Sequence, residues 1–393
     1  MKNATLLIVI LLSLFISCKE ESKELEKDDS KGASLSIDYA NGFSITRYPT
    51  HTIITITEAF PRAQKVFKYA LIPKDSLGKN IDNESSNELE ETLKSQGVDA
   101  ILRTPLNAVV VTSTTHIPSL EMLGVAETLK GFPNLDYISS PLMRKRIANK
   151  EIIDLGQNES LNTELTIELH PEAMISFGVE GENKALSNIQ RAGIPVLYNG
   201  DWVEKDPLGK AEWIKFFGAL YGKESEADSI FKHIEKNYNT LKGQISSIKN
   251  KPTVLSGGMF KDIWYLPKGD SWQAKVLEDA GGNYLWSETK GSGSIALSIE
   301  SVLEKGQQAD FWIAPGQYTS YAKLASDNPA YAQFDAFKNK KVYTFAKYKG
   351  ETGGLLYYEL APNRPDLVLR DLAKILHPDI IAEEFTFFDT LDE

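Results

Sequence analysis

LNTELTIELHPEAMIS, which spans residues 161–176, has a counterpart in LSIESVLEKGQQADFWIA, which spans residues 297–314. Each segment begins with Leu-x-x-Glu, continues as a helical stretch, and ends in a polar turn that leads into a buried strand. Glu164 and Glu300 occupy the same place in the two copies. A solenoid needs roughly three or more repeats, so this pair of copies predicts two similar α/β lobes.

Short apolar runs mark the strands of these lobes. They are AVVVT (108–112), AMISF (173–177), PVLYN (195–199), TVLSG (253–257), DFWIA (310–314) and KVYTF (341–345). Such runs are typical of strands buried in a parallel sheet, and their alternation with helix-length segments predicts βαβ units. The predicted fold class is α/β, with two Rossmann-like lobes at residues 107–206 and 251–393.

A helical segment lies between the lobes. Residues 209–250 contain no proline, and apolar side chains recur on one helical face of the second part of this segment. These side chains are Phe231, Ile234, Tyr238, Leu241 and Ile245. A helix from Ser225, its expected cap, to Lys249 would be roughly 37 Å long. Residues 207–250 are therefore expected to form one long, rigid helix that joins the lobes.

The start of the chain has the pattern of a processing signal. Residues 4–17 form an apolar run that is too short for a comfortable membrane span but suits a signal peptide over residues 1–17. LFISC resembles a bacterial lipobox, which implies cleavage before Cys18 and acylation of that cysteine. The charged residues 18–34 predict a flexible tether. Its acidic run resembles the surface-export signal of some lipoproteins.

A β-rich segment follows the tether. The runs SLSIDYA, FSITRY and HTIITIT within residues 34–57 predict strands joined by tight turns. We expect residues 35–106 to form a β-rich extension of the first lobe.

Composition excludes several classes of function. The 393 residues contain 43 Lys and Arg against 54 Asp and Glu, a formal charge of −11, which argues against nucleic acid as the partner. The single cysteine, Cys18, allows no disulfide within the chain and no cysteine-based zinc site. The closest two of the five histidines are 54 residues apart, and the chain has no GxSxG, HExxH or Walker A motif. We therefore predict no resident metal, no cofactor and no catalytic residues.

Aromatic residues near predicted strand ends are the best candidates for a binding site. Ligands of open α/β sheets bind beyond the carboxyl ends of the strands, and aromatic walls suit a flat conjugated ligand. The candidates are Tyr198, Trp202, Trp264, Tyr265 and Tyr318. Trp286, Tyr357 and Tyr358 are interpreted as core residues. The basic run of residues 144–146 could pair an anionic ligand, although a solvated helix face explains it as well.

The order and spacing of several stretches resemble the cluster-III periplasmic substrate-binding proteins, which include the vitamin B12, ferric-siderophore and haem binding lipoproteins of ABC importers. Besides the two repeats, the matching stretches are AVVVTSTTHIPSLEMLGVAETLKGF (108–132), RAGIPVLYNGDW (191–202), PLGKAEWIKFFGALYGKESEADSIFKHI (207–234), LEDAGGNYLW (277–286), KKVYTF (340–345) and RPDLVLRDLAKILHPDI (364–380). The resemblance implies two lobes joined by a long helix with the ligand between them. It also implies that the turn with Thr114, Thr115 and His116 faces the ligand, although helix capping explains His116 equally well.

The sequence thus predicts a monomeric, lipid-anchored solute-binding protein that delivers an iron or cobalt chelate (ferric siderophore, haem or cobalamin) to the permease dimer of an ABC importer. The resemblance assigns permease docking to Glu164 and Glu300, for which helix capping is the local alternative. The expected location is the cell envelope, on the periplasmic side of a membrane or at the cell surface. Two alternatives remain open. One is a surface lipoprotein that captures chelates without an ABC partner, and the other is an enzyme or chelatase-like protein on the same frame.

Overall fold

A computed structural model describes residues 32–74, 83–178 and 183–393. The predicted signal peptide, the acylation site Cys18 and most of the predicted tether lie outside the described residues. In the part of the chain that is described, no helix is both long and apolar enough to cross a membrane.

The N-terminal extension contains a five-stranded sheet and one helix. Its elements are β1 (Ala33–Ser34), β2 (Phe43–Arg47), β3 (Thr52–Ile56), β4 (Phe67–Pro73), α1 (Asn83–Ser95) and β5 (Ala100–Thr104). Strands β1 to β4 pair antiparallel in chain order, whereas β5 lies parallel to β4. A parallel neighbour needs a crossover connection, and the helix α1 lies within it. Because side chains alternate along a strand, Tyr69 and Leu71 face the main core, while Ala70 and Ile72 pack near Leu93 of α1.

The first lobe is built on a parallel sheet whose strands follow the order β12-β11-β6-β7-β8. Its strands are β6 (Val109–Val111), β7 (Leu129–Phe132), β8 (Ile153–Asp154), β11 (Ala173–Phe177) and β12 (Val196–Asn199), with a small hairpin of β9 (Gly156–Gln157) and β10 (Ser160–Leu161). Its helices are α2 (Ile117–Met122), α3 (Pro141–Ala148), α4 (Thr163–Glu168) and α5 (Lys184–Arg191).

Three helices, rather than one, occupy the segment between the lobes. They are α6 (Pro207–Glu212), α7 (Ile214–Tyr221) and α8 (Glu224–Ile245). The helix α7 ends at Gly222, whose backbone is left-handed with φ of 64°, a conformation that glycine adopts without a steric penalty. The expected cap Ser225 lies inside α8, and Lys223 precedes that helix without a side-chain cap. The sequence predicts one long helix over residues 207–250, and only the 22 residues of α8 form a single long helix in the structure. This helix buries Phe231, Ile234 and Tyr238.

The second lobe repeats the layout of the first. Its main sheet follows the order β16-β13-β18-β19-β20, in which only β20 is antiparallel, and a second sheet follows the order β14-β15-β17. Its strands are β13 (Thr253–Ser256), β14 (Gly258–Phe260), β15 (Ile263–Pro267), β16 (Asn283–Tyr284), β17 (Ser294–Leu297), β18 (Phe311–Ile313), β19 (Val342–Thr344) and β20 (Asp389–Thr390). Its helices are α9 (Trp272–Asp279), α10 (Ile299–Gly306), α11 (Tyr321–Asp327), α12 (Asp335–Lys338), α13 (Leu356–Leu360) and α14 (Pro365–Leu376).

The internal repeat and the six apolar runs are confirmed as elements of this α/β fold. Each run contains one parallel strand of a lobe sheet. In the first copy of the repeat, α4 leads into β11, which pairs with β6; in the second, α10 leads into β18, which pairs with β13. The two copies therefore hold equivalent positions in their sheets.

Residues 35–40 differ from the expectation, because they form no strand. The backbone N–H groups of Asp38, Tyr39 and Ala40 instead donate hydrogen bonds to the carboxylate of Glu212 in α6, at 2.8 to 3.1 Å. The Glu212 side chain is fully buried and also accepts a bond from the ammonium of Lys215 at 2.9 Å. This single carboxylate therefore takes the place of a strand neighbour for the segment that enters the extension.

We predict that Glu212→Gln lowers the free energy of unfolding by about 1.5–3 kcal/mol, because it removes the nearest carboxylate partner of the buried Lys215, which keeps Asp228 and the Ser36 carbonyl, and weakens the charge-assisted bonds to three N–H groups. Chemical denaturation followed by circular dichroism measures the change. Glu304→Gln, in which an exposed glutamate of α10 is replaced, is the matched control and should change stability by less than about 0.5 kcal/mol. Equal effects of the two substitutions would contradict the role given to Glu212.

Candidate functional site

The carboxyl ends of the parallel strands in both lobes border the same concave region. In each main sheet the strand order reverses beside the first strand, between β6 and β11 in the first lobe and between β13 and β18 in the second. Ligands of open α/β sheets bind at such reversal points, beyond the carboxyl ends of the strands. Thr112 follows β6, and Gly257 follows β13, and each lines a cavity at its reversal point.

A cavity of about 700 Å³ lies in the second lobe at the ends of β13 and β18. Aromatic side chains form much of its wall: Phe260, Tyr265, Tyr318, Phe345, Tyr357, Tyr358 and Phe388. The polar side chains that line it include Ser256, Gln273, Gln317 and Thr319. This is a largely apolar wall with a few hydrogen-bonding groups, which is typical of small-molecule sites.

A second cavity of about 470 Å³ lies between the lobes. The first lobe contributes Thr112, Ser113, Thr114, Phe132, Tyr137 and Phe177, and the second contributes Gln317, Gly354, Leu355 and Tyr358. Gln317 and Tyr358 line both cavities, so the two spaces are contiguous there. A third, smaller cavity of about 170 Å³ shares Thr112, Asn158 and Phe177 with the second. We call these three cavities together the cleft.

The lobes touch along one side of the cleft through a set of hydrogen bonds that we call the interlobe contact. The buried carboxylate of Glu359 in α13 accepts bonds from the backbone N–H groups of Ser139 and Ser140 at 2.6 and 3.0 Å. Asn363 donates to the carbonyl of Thr115 at 2.8 Å and accepts from the hydroxyl of Ser119 at 2.9 Å. Each of these bonds joins a residue of the first lobe to one of the second.

The backbones of the two lobes also approach closely at the interlobe contact. A Cβ atom at Gly354 would lie 2.3 Å from the carbonyl oxygen of Tyr137, so only glycine fits there. Ser140 caps the N-terminus of α3, and the Glu359 carboxylate lies against the two residues that precede that helix, near the end where a negative charge is favoured. Burial nevertheless raises the pKa of Glu359 to about 7.

Metal ligation by the protein has no candidate among the described residues: no group of three or more His, Cys, Asp or Glu side chains is placed to hold an ion.

Three of the residues selected from the sequence line the cleft. Thr114 lines the cavity between the lobes, and Tyr265 and Tyr318 line the cavity of the second lobe. Thr115 lies at the edge of the cleft, in the interlobe contact, where its carbonyl accepts the bond from Asn363.

Trp264 is not a wall of the cleft, contrary to expectation. Its side chain is 0% exposed and stacks on Trp312, with ring centroids 5.2 Å apart, while its Nε1 donates to the carbonyl of Ser256 at 3.2 Å. Successive side chains of a strand point to opposite faces, so in β15 Tyr265 faces the cavity and Trp264 faces the core. Of these two neighbouring candidates, Tyr265 lines the cavity and Trp264 does not.

The three other candidates also lie away from the cavities. His116 is fully buried against the ring of Phe217, with centroids 5.7 Å apart. Tyr198 packs on Phe67 of the extension at 4.6 Å. Trp202 is 43% exposed but does not line any of the three cavities that form the cleft. Tyr198 lies against the extension, which packs beside β12 at that edge of the first lobe, whereas Trp202 stays partly exposed outside the cavities.

Tyr358 and Gln317 are cleft residues that sequence reasoning missed. Tyr358 is 53% exposed, and its ring meets Phe345 edge-on at 5.3 Å, at the junction of the two cavities. The sequence interpretation places both Tyr357 and Tyr358 in the core. This holds only in part for Tyr357, because its ring is buried but also borders the cavity. The sequence did contain one signal for Tyr358 as a cleft residue: it lies at the start of a helix that directly follows the glycine-rich turn at 353–354.

Glu164 and Glu300 lie at equivalent points on the surface of the two lobes. Each is the second residue of its helix, α4 or α10, and each side chain is exposed. The caps of the two helices are Asn162 and Ser298, whose side chains accept bonds from backbone N–H groups at 3.0 and 3.3 Å. Asn162 and Ser298 are therefore the side-chain caps of these helices, while both glutamates lie in the first turn, where a negative charge is favoured, and Glu300 also accepts hydrogen bonds from its own backbone N–H and from Ser298.

Comparison with known proteins identifies one protein family and one shared fold. The family model described as "Periplasmic binding protein" matches residues 109–348, more than half of the chain. The uncharacterized lipoprotein MJ0878 of Methanocaldococcus jannaschii is 29% identical over 299 residues, which cover 73% of this chain and 69% of that protein.

Solved structures share the fold at low sequence identity. A periplasmic haem binding protein from Pseudomonas aeruginosa aligns with a TM-score of 0.55 at 18% identity, over 73% of this chain and 99% of that one. A possible iron-binding (periplasmic solute-binding) protein from Staphylococcus epidermidis aligns with a TM-score of 0.53 at 18% identity, over 70% of this chain and 100% of that one.

We predict that His116 makes the stability of the protein depend on pH. Burial lowers the pKa of His116 to about 4 from its usual 6.5, so the unfolded chain takes up the proton first as the pH falls. The free energy of unfolding should therefore decrease by about 3 kcal/mol between pH 6.5 and pH 4 on account of this residue. Denaturation of the wild type and of His116→Leu at a series of pH values measures the difference.

The His116→Leu substitution should remove that part of the pH dependence, because it removes the group that takes up the proton. Leucine loses no hydrogen bond at this position, since neither ring nitrogen of His116 has a partner among the described residues. His233→Leu, which replaces an exposed histidine of α8, should leave it in place. A parallel pH profile for His116→Leu and the wild type would contradict the prediction.

Proposed function

We propose that this chain, which belongs to the periplasmic binding protein family, is a solute-binding protein that holds a metal chelate in the cleft and delivers it to an ABC importer. The observation that carries the proposal is the pair of contiguous cavities at the reversal points of two parallel sheets, with Tyr358 and Gln317 at their junction. A ligand at this junction would contact both lobes at once.

The shape and chemistry of the cleft support a flat or conjugated ligand. Aromatic side chains bury a large area and offer π faces against which a corrin, a porphyrin or a catecholate can pack. Each of the two larger cavities has the volume of an ordinary small-molecule site. The similar structures include proteins named for haem and iron binding, which is the same class of ligand.

Delivery to a permease is supported by the exposed glutamates and by the predicted anchor. Glu164 and Glu300 offer one negative charge on each lobe at equivalent places, which would suit a permease with two basic pockets. Acylation of Cys18 would keep the protein, as a monomer, at the membrane that holds the permease. A relative of this chain carries the name lipoprotein, which agrees with such an anchor.

The first test is ligand binding. We expect the purified protein to bind at least one of haemin, cyanocobalamin, a ferric trihydroxamate and a ferric tricatecholate with one-to-one stoichiometry by titration calorimetry. Tyr358→Ala should weaken that binding by about 1–3 kcal/mol, because the ligand loses a large aromatic contact. Trp202→Ala removes an equally exposed aromatic that is outside the cleft and should bind normally. No binding of any chelate, or equal losses in both variants, would contradict the proposal.

The second test concerns docking. Glu164→Lys and Glu300→Lys should leave ligand affinity unchanged but weaken binding to the permease at least about tenfold, since a like charge against a basic pocket is strongly unfavourable. The measurements are calorimetry with the ligand and pull-down or uptake assays with the permease reconstituted in vesicles.

Glu168→Lys and Glu304→Lys place the same charge change on exposed positions of the same helices and serve as controls. We expect them to dock and transport normally. Normal transport by the Glu164→Lys, Glu300→Lys double variant would contradict the docking assignment. Equal losses in the control variants would show that overall charge, rather than these two positions, causes the effect.

A further inference from the structure

We infer that the cleft selects chelates that carry no net negative charge and rejects otherwise identical anionic forms. This inference rests on the proposed function and narrows its ligand class by charge. It concerns the binding wall itself, because a buried ligand charge needs a partner of opposite sign at close range.

Among the described residues, the cleft wall contains almost no ionised side chain. Of the described residues that line the 700 Å³ cavity, only Lys323 is charged, and none of those that line the 470 Å³ cavity is. Glu159 is the one charged residue on the described wall of the smallest cavity. The wall thus offers one cation and one anion, at opposite ends of the cleft lining, and no cluster of positive charge for an anionic chelate.

The single cation is already neutralised. The ammonium of Lys323 lies 2.5 Å from a carboxylate oxygen of Asp327, one turn further along α11. The hydroxyl of Tyr318 also bonds to Asp327. An anionic ligand near Lys323 would meet the carboxylate as well as the ammonium, so this end of the cavity gives little net attraction for a negative charge.

The arginines of the basic run at residues 144–146 make contacts within the first lobe rather than in the cleft. Arg144 donates to the carbonyl of Leu135 at 2.8 Å, and Arg146 is buried, where it donates to the carbonyl of Leu129 at 3.1 Å and pairs with Glu151 at 3.0 Å. Neither arginine lines any of the three cavities of the cleft. The sequence-based option that this run pairs an anionic ligand is therefore not supported.

The field of the whole chain acts in the same direction. With 43 basic against 54 acidic residues, the protein repels anions at long range. Uncharged polar groups on a ligand fare better, because Gln317, Thr114 and Ser113 can donate and accept hydrogen bonds with amides, esters and hydroxamates. The geometry favours a ligand with an apolar body and neutral polar substituents.

The test uses pairs of chelates that differ mainly in charge. The corrin pair is dicyanocobyrinic acid with seven free carboxylates and its heptamethyl ester; the porphyrin pair is haemin and its dimethyl ester; the siderophore pair is the neutral N-acetyl form and the anionic N-succinyl form of one linear ferric trihydroxamate. We expect the less charged member of any pair that binds to bind at least about tenfold more tightly. Its dissociation constant should also change little between low and high salt. Fluorescence quenching and calorimetry on the purified full chain measure both.

The outcomes separate this inference from the proposed function. If the anionic member of a binding pair is equal or tighter, the charge inference is overturned while chelate binding stands. If no member of any pair binds, the proposed function fails and the inference fails with it. A tighter neutral member supports both.

A gain-of-function variant provides an independent check. Gln317→Lys places a cation at the junction of the cavities and should raise the affinity for the anionic member of the pair that binds by at least about tenfold, narrowing the preference. Trp202→Lys adds the same charge outside the cleft and should leave the preference unchanged. If both variants alter the preference equally, the selectivity arises from overall charge rather than from the cleft wall, and the inference is wrong.

Discussion

The interlobe contact is the constraint on which the geometry of the cleft depends. The Glu359 carboxylate crosses from the second lobe to the backbone N–H groups of Ser139 and Ser140, the two residues that precede α3. Asn363 adds one bond to the carbonyl of Thr115, in the turn between β6 and α2, and one to the hydroxyl of Ser119, within α2. Because these groups are buried, losing them would leave unpaired donors and acceptors, so the separation of the lobes is held within narrow limits. A cleft held in this way is largely formed before a ligand enters, which lowers the entropy lost on binding.

Two further features shape the molecule around the interlobe contact: the internal repeat and the attachment of the N-terminal extension. The two copies of the repeat place β11 and β18 beside the first strands of their sheets, and this makes both carboxyl edges concave at equivalent points. The N-terminal extension is attached differently, through buried carboxylates rather than through a shared sheet. Glu212 binds the backbone of residues 38–40, and Glu204 binds that of Asn41 and Gly42. The extension thereby covers one edge of the first lobe, beside β12, and leaves the cleft open.

The sequence was sufficient for the two-lobed α/β architecture, but not for the segment between the lobes, which forms three helices rather than one, nor for the wall of the site. Strand positions follow from runs of apolar residues, a local signal, and all six runs contain strands. Which face of a strand lines a cavity is not local, because it depends on where the sheet lies relative to its neighbours. Trp264 and Tyr265 differ by one position, and only the second faces the cavity. The same reason explains Tyr358, whose exposure depends on the gap between two lobes rather than on the helix that carries it. Cys18 stays a prediction because it lies outside the described residues.

A cleft that is preformed and nearly uncharged has consequences for release in the proposed function. Affinity then comes from the contact of aromatic and apolar surface, which salt does not screen and which changes little unless the walls move apart. The walls belong to different lobes only in the 470 Å³ cavity, whereas the larger cavity lies within the second lobe. Separation of the lobes would therefore uncover the part of the ligand that contacts the first lobe and leave the remainder in the second. Docking points on both lobes, as proposed for Glu164 and Glu300, are the arrangement by which a partner could apply such a separation, since a single point could move the lobes only as one body.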